Sequence, residues 1–511
     1  MKAFTNEQQS AAVHVAKGAS YIFLQGIATN LMMATTFAII ARIITTAEMG
    51  TIAVLTMVTG TCQLLANIGM QSGVTKFMAE SLARNDPKSA SGTFYQAIRV
   101  SLSLSILLAL TVFFSSRFLS QILLGTQDLA ALFQILSVSI VANAGLLPTL
   151  NSAMLGLQKT REMAIIGTVY SAIRQTLIVS LVLLTHSLQG LVAAWIISGT
   201  FVSMALLGYV VSKIGPPTFS FDLTRLTRFS IPVFLENIAG FVYGWFDRAM
   251  LLAYASLSAV GIYSAAMTAF GVLAGVPGAI GTALLPAYSS LQGKDGVRSL
   301  EGAIRSASRY VCYVGTPLTL GLLVTAKPAL TLFVGEPYAE GVFPLMILSF
   351  FLAVTIVSTS LTGVLIVLEE TALSFKLTII NVATGAALAL ALLPSLGEVG
   401  ASLTRGLTMV VGLAATMISL RGKIRIAFDK EALQKSLAAS LVMALAVVSI
   451  QYLHYSKYLL PLYAFVGGSI YLATLRILHA IKPSDMQLIR QYLGPRFQFA
   501  IRPLERHLVT E

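Results

Sequence analysis

Hydrophobic residues in this chain come in long, nearly unbroken runs, and polar residues mark the joints between them. The runs fall near residues 18–41, 51–73, 97–116, 129–157, 163–185, 189–212, 229–253, 258–284, 308–326, 341–368, 373–394, 399–420, 436–454 and 458–478. A helix needs about 20 apolar residues to cross the hydrocarbon core of a bilayer. Backbone in that medium must satisfy its own hydrogen bonds. The pattern predicts an all-α polytopic membrane protein with about fourteen transmembrane helices.

The pattern also repeats. Shifted by about 210 residues, Ser20 in GASYIFL falls on Ser230 in RFSIPVFL, Gly125 on Gly335 and Gly190 on Gly400. MLGLQKT at Met154–Thr160 falls on VLIVLEE at Val364–Glu370, and SLARND at Ser81–Asp86 meets SLQGKD at Ser290–Asp295 one residue off that shift. Self-similarity at one displacement predicts a duplicated unit. Six spans per copy is an even number, so both copies take the same orientation, as parallel repeats related about the membrane normal. The predicted organisation is an N-terminal segment at 1–16, an N-lobe at 17–214, a linker at 215–226 and a C-lobe at 227–422. Two appended C-terminal helices follow at 435–481, then a basic tail at 482–511 with a short helix capped at Ser484 and stopped at Gly494.

Composition agrees with the spans. Of 511 residues, 56% are hydrophobic and 11% charged, whereas a soluble protein carries roughly 25% charged residues. A net charge of +13 raises the question of nucleic acid, but its placement argues against that partner. About 27 of the 34 Lys and Arg residues fall on the side of the membrane that holds both termini. Arg42, Arg117, Arg248, Lys327 and Lys457 fall opposite, with Arg174 and Arg405 mid-span. The asymmetry predicts a multi-pass membrane protein with both termini in the cytoplasm. Met1–Ala16 is polar, so no cleavable signal is expected. Cys62 and Cys312 lie in apolar runs and read as small core residues.

Charges inside the runs carry the functional signal. The seventh run, SIPVFLENIAGFVYGWFDRAMLLAY, holds Glu236 and Asp247 eleven residues apart, close to three helical turns. Gly240 and Gly244 lie on the same stripe, a face for packing against helices or lining a wet cavity rather than for lipid. Arg174 and Arg405 either pair internally with Glu236 or Asp247 or bind an anionic ligand. Arg42 and Arg248 either snorkel to the outer interface or join them. Lys17 reads as a topogenic charge at the cytoplasmic mouth, and Glu369, Glu370 and Lys376 as a solvated turn. His186 and His454 lack metal-ligand spacing. With no paired-carboxylate, Ser/His/Asp or His/Cys constellation and no loop large enough for a domain, no catalytic residue, metal or cofactor is expected, and the chain does not read as an enzyme.

Several stretches together resemble the polysaccharide flippases, or oligosaccharide translocases, of the multidrug/oligosaccharidyl-lipid/polysaccharide exporter superfamily. They are ARIITTAEMGTIAVL, MLGLQKTREMAI, FDRAMLLAYASLSAVGIYSAA, LFVGEPYAEGVFPLMILSFF and LGEVGASL, in an order that covers nearly the whole chain. The resemblance implies two six-helix lobes around a cavity alternately open to each side, moving a polyprenyl-linked glycan across the cytoplasmic membrane. Membrane lipid, and a glycan polymerase or glycosyltransferases of the same pathway, are the further partners it implies. On that reading Arg42, Arg174, Arg248 and Arg405 are candidates to bind the lipid-linked phosphate, and Glu236 and Asp247 form a coupling or charge network. The alternative is a cation-coupled multidrug antiporter of the same superfamily. Those usually carry an acid in the first span, and none lies between Lys17 and Arg42.

Overall fold

A computed structural model of the chain describes residues 6–218, 221–295, 297–368, 370–421, 423–424 and 429–480. The predicted tail at 482–511, with its cap at Ser484 and stop at Gly494, and Glu369 of the solvated turn lie outside the described residues.

The regular elements among those residues are all helical. Besides 3-10 turns at Glu336–Gly341 and Lys457–Leu459, they are α1 (Asn6–Ala41), α2 (Thr46–Asn67), α3 (Met70–Ala83), α4 (Pro87–Phe114), α5 (Ser116–Leu124), α6 (Ala130–Ile140), a π-helical turn (Val141–Leu146), α7 (Leu147–Gly156), α8 (Thr160–Thr185) and α9 (Leu188–Ile214). There follow α10 (Leu223–Tyr254), α11 (Leu257–Asp295), α12 (Val297–Phe333), α13 (Val342–Phe350), α14 (Leu352–Val367), α15 (Thr371–Leu420), α16 (Lys430–Leu453) and α17 (Leu460–Ile477). No break between them is longer than 421–429.

Among the described residues, thirteen helical stretches are long and apolar enough to cross a membrane. One of them, Ala372–Leu420, has 49 residues. At 1.5 Å per residue it would be about 74 Å long, more than twice the hydrocarbon thickness. Gly397 breaks it, with φ 54° and ψ −129°, a conformation that a side chain resists. Counted as two spans, it raises the thirteen to the fourteen expected, and the break falls between the runs predicted at 373–394 and 399–420.

Contacts divide the chain into two compact units: Met1–Trp245 with Ser256–Gly261, and Phe246–Ala255 with Ile262–Glu511. The division falls within α10 and α11, not in the polar stretch at 215–226.

In the first unit α1 and α8 run parallel and close. A Cβ at Gly18 would meet the Thr160 hydroxyl at 2.9 Å, and one at Gly167 would overlap the Gln25 carboxamide. Met70, Val74, Phe77, Phe94, Leu150, Met154, Leu206 and Val210 form a core between α3, α4, α7 and α9. The linker is docked on this core. Ser91 and Tyr95 hydroxyls donate to the carbonyls of Pro216 (2.8 Å) and Gly215 (3.2 Å), Phe221 is buried, and the Arg225 guanidinium lies 4.8 Å from the Phe77 ring.

Turn residues explain the first hairpin. Thr45 and Glu48 form a reciprocal capping box at the start of α2, and Ser256 caps α11 by accepting from the Ala259 N–H at 3.2 Å. The tip of α11 packs on α2 so tightly that a Cβ at Gly50 would overlap the Leu257 carbonyl oxygen, and one at Gly261 the Thr46 carbonyl oxygen. Thr46 and Ser258 hydroxyls meet at 2.7 Å.

In the second unit, hydroxyls and backbone carbonyls tie the two last helices to α12, the usual adhesive where lipid removes the hydrophobic drive between helices. Thr316 and Ser436 hydroxyls meet at 2.6 Å, Ser440 donates to Thr316 at 2.9 Å, and Tyr471 donates to the Tyr313 carbonyl at 2.8 Å. Asp429 caps α16 and pairs with Arg309 at 2.9 Å.

Candidate functional site

Two polar clusters lie inside otherwise apolar spans, one in each unit. The cluster in the second unit is built on Asp247, which is fully buried in the last part of α10. Its Oδ2 accepts from Arg405 Nε at 2.9 Å, Arg405 Nη2 at 2.8 Å and the Tyr263 hydroxyl at 2.6 Å. Its Oδ1 accepts the backbone N–H of Arg248 at 2.8 Å. Arg405 is itself only 4% exposed, and its guanidinium carbon lies 5.1 Å from the Phe246 ring centre. A carboxylate with this many donors is the arrangement that lets a charge persist away from water.

The cluster in the first unit forms around the π-helical turn. A π turn leaves backbone carbonyls without regular helical partners and is often found at functional sites. Here side chains from three helices supply the donors. Asn67 Nδ2 donates to the Ala144 carbonyl at 2.7 Å, Ser101 to Gly145 at 2.8 Å and Ser203 to Ala142 at 3.2 Å. Asn143, on the turn itself, donates from Nδ2 to the Trp195 carbonyl at 3.0 Å. Its Oδ1 accepts from the Tyr170 hydroxyl at 3.3 Å, and that hydroxyl in turn accepts from Arg174 Nη1 at 3.1 Å. The Arg174 guanidinium carbon lies 5.3 Å from the Trp195 ring centre. Among the described residues Arg174 has no carboxylate within salt-bridge distance.

Of the six side chains singled out in the sequence, Asp247 and Arg405 are brought together as an ion pair. Arg174 is half-buried in the first unit. Arg42 is exposed at the end of α1, and Arg248 is half-buried beside Asp247. Glu236 and Asp247 differ where their shared stripe suggested likeness. Glu236 is exposed in the part of α10 that belongs to the first unit, with no ion-pair partner among the described residues, whereas Asp247 is buried in the second. A methyl group placed on Gly240 or Gly244 would meet nothing within 4 Å among the described residues, so these two glycines are not close helix-packing positions there. Arg405 offers Nε and Nη2 to Asp247, so in this conformation those donors are committed and cannot serve a phosphate.

Glu370 pairs with Lys423 rather than standing in a purely solvated turn. Lys17 falls within α1, and its side chain lies outside the described residues. Sequence reasoning missed Tyr263, Tyr170, Trp195, Asn143 and Asn67. The amides of Asn67 and Asn143 inside apolar runs were the signal that could have found them, since a buried amide must find partners.

Comparison with known proteins gives these sites a family. A family model described as polysaccharide biosynthesis protein matches residues 15–292. A probable low-salt glycan biosynthesis flippase of Haloferax volcanii, Agl15, is 22% identical over 49% of this chain and 53% of its own length. The succinoglycan biosynthesis transport protein ExoT of Rhizobium meliloti is 25% identical over 60% of this chain and 59% of its own. The chain thus spans a little over half the length of these curated relatives. Among solved structures, the lipid II flippase MurJ in an inward closed conformation matches with a TM-score of 0.75 and 15% identity, over 92% of this chain and 100% of MurJ. A multidrug resistance MATE family transporter matches with a TM-score of 0.56 and 15% identity, over 78% of this chain and 94% of its own. These likenesses show a shared fold, and the family model covers more than half of the 511 residues: the chain belongs to the polysaccharide biosynthesis protein family.

Proposed function

We propose that the protein is a flippase that moves a polyprenyl-phosphate- or diphosphate-linked oligosaccharide from the cytoplasmic to the outer leaflet by alternating access. The observation that carries this reading is a polysaccharide-biosynthesis family member whose described residues hold thirteen helical stretches long and apolar enough to cross a membrane. No break between its described helices is longer than 421–429, which leaves no room for a soluble catalytic domain there. Such a chain is built to move a glycan rather than to make one. Two relatives whose names describe glycan flipping or transport support it, as does the fold shared with a lipid II flippase.

A lipid-linked sugar places anionic phosphate between a greasy tail and a hydrophilic head. Arginine suits that phosphate because its planar fork donates in pairs and stays charged. Arg174, Arg42 and Arg248 are the cations proposed to meet the head group, with Asp247 and Arg405 as a charge network that holds the second unit's spans together between transport states. Glu236, exposed at mid-helix, is proposed as a proton-carrying acid. Both termini are placed in the cytoplasm on the charge asymmetry, and the two lobes are read as parallel repeats. Local features recurring at about 210 residues support the repeat: the helix caps Thr45 and Ser256, and the positive-φ turns at Gly125 and Gly335 and at His186 and Gly397.

The test is reconstitution into liposomes that carry a fluorescent lipid-linked oligosaccharide, with a membrane-impermeant quencher reporting the exposed leaflet. Protein-dependent transbilayer movement of that lipid is the expected result. Liposomes that extrude cationic drugs against a proton or sodium gradient while the glycolipid stays put would instead make the chain a drug antiporter.

A further inference from the structure

Two helical runs of the first unit, α2–α3 and α6–α7, are interrupted, and one buried residue joins the interruptions. The chain passes from α2 to α3 through Ile68 and Gly69, both left-handed, with φ 41° and 70°. Glycine adopts that region freely, and a Cβ on Gly69 would overlap the Ser230 carbonyl oxygen. A β-branched side chain resists it, so Ile68 is strained. The other interruption is the π turn, where the Leu147 N–H bonds to the Ala142 carbonyl, five residues back. Pro148 gives a local reason for it. That residue has no N–H, and in a regular α-helix its ring would press on the Ala144 carbonyl.

Asn67, buried at the last position of α2, touches both. Its Nδ2 donates to the carbonyls of Gln63, in its own helix, and Ala144, in the π turn, each at 2.7 Å. Its Oδ1 accepts from Ser101 at 3.3 Å and from Thr149 at 3.2 Å. Four bonds are the full capacity of a carboxamide. The carbonyl that Pro148 leaves without an α-helical donor is thus held by the residue next to the strained joint. Beyond the two interruptions, α3 and α7 pack as one body. Thr75 donates to the Ser152 carbonyl at 3.1 Å, and a Cβ on Gly156 would meet the Met78 Cβ at 2.8 Å. Met70, Val74, Phe77 and Met78 share a core with Leu150, Ala153 and Met154. Close packing of this kind transmits a displacement of one helix to the other.

We infer that Ile68–Gly69 and the π turn form one coupled hinge, with Asn67 as its pin, on which the α3–α7 block swings against α2 and α6. Strained backbone persists where the surrounding packing dictates it and concentrates in switch segments, as π turns do at functional sites. Because the block is shared, a bend in one helical run alone would break the Asn67–Ala144 or the Thr75–Ser152 bond, so the two joints move together. In the second state Ile68 leaves the left-handed region; its strain belongs to the state seen here. That the swing opens and closes a passage for glycolipid rests on the proposed flippase reading.

Spin labels measure the hinge in the full chain, reconstituted in lipid nanodiscs with Cys62 and Cys312 replaced by alanine. Ala47→Cys with Arg84→Cys straddles the α2–α3 joint, and Gln127→Cys with Lys159→Cys straddles the π turn. Ala47, Arg84 and Gln127 are exposed and Lys159 half-exposed, so all four accept a label. By double electron–electron resonance each pair should show two distances, in the same proportion, one of them the distance in this structure. Ile68→Gly removes the strain and should shift both pairs toward that distance by about fivefold or more, the lower end for such a residue. Ile68→Val keeps the branch and should leave the proportion unchanged. Asn67→Ala should let the two pairs take different proportions. A merely local irregularity at Ile68 would not move the π-turn pair.

The coupled hinge is wrong if both pairs give a single distance, or if Ile68→Gly shifts only the pair across the α2–α3 joint. Glycolipid movement in liposomes that persists in that case leaves the flippase reading standing. Coupled shifts in both pairs without glycolipid movement remove the flippase reading and leave the hinge.

Discussion

Asp247 is the residue at which burial, charge and hydrogen bonding are most concentrated. Removing Arg405 would strand a fully buried carboxylate, and removing Asp247 would strand a guanidinium that is 4% exposed. Breaking a buried pair from one side costs about 3–5 kcal/mol, whereas replacing both partners with apolar groups of similar volume is often neutral. Asp247→Ala and Arg405→Ala are therefore each expected to lower the thermal unfolding temperature in detergent sharply. Asp247→Leu with Arg405→Met should recover most of that loss, and Tyr263→Phe should cost about 1.5–3 kcal/mol as a lost bond to a charged group. Glycolipid translocation at the parental rate by the double variant would make the pair purely structural and end any role for Arg405 in binding phosphate. Recovered stability without translocation would place the pair in the transport cycle.

At the scale of elements, the closest approach of a described glycine to another backbone is that of α2 to the tip of α11. Gly50 faces the Leu257 carbonyl and Gly261 the Thr46 carbonyl, a reciprocal contact in which Gly50 and Gly261 stand 211 residues apart, as do Thr46 and Leu257. The neighbours are backbone, so a methyl group there cannot be accommodated by a side-chain rotation. Gly50→Ala or Gly261→Ala must push the helices apart, at about 1–3 kcal/mol for overpacking. Thr46→Cys with Ser258→Cys should form a disulfide under mild oxidant, because the parent hydroxyls meet at 2.7 Å; adding Gly50→Ala should slow that crosslink. A crosslink rate indifferent to Gly50→Ala would show that the close packing is not maintained in the membrane.

For the whole molecule, the distribution of basic residues predicts which ends face the cytoplasm. Arg84, exposed in the turn between α3 and α4, and Gln127, exposed between α5 and α6, are separated by one long span. In a chain whose Cys62 and Cys312 are replaced by alanine, Gln127→Cys should react with an impermeant thiol reagent on intact cells. Arg84→Cys should react only after the membrane is opened. The opposite labelling would invert the topology, and with it the direction in which a glycan enters.

The chain's hydrophobic runs alone determined that it is helical and polytopic, and about where its spans lie, because a bilayer tolerates few other backbones, although α4 begins at Pro87, ten residues ahead of the run at 97–116. Even the break at Gly397 was legible, as the polar joint in LGEVGASL. Which charges meet was not. Helical periodicity put Glu236 and Asp247 on one stripe, but a stripe gives an angle around the helix and no account of what covers it at each height. Packing of Tyr263 and Arg405 against one end of α10 buried Asp247 and left Glu236 exposed. Likewise the pairing of Asn143, Tyr170, Arg174 and Trp195 depends on a π turn, whose extra residue shifts register only once Asn67, Ser101 and Ser203 are present to satisfy its carbonyls. Those partners lie tens of residues away in sequence, so only the folded chain decides that the turn forms.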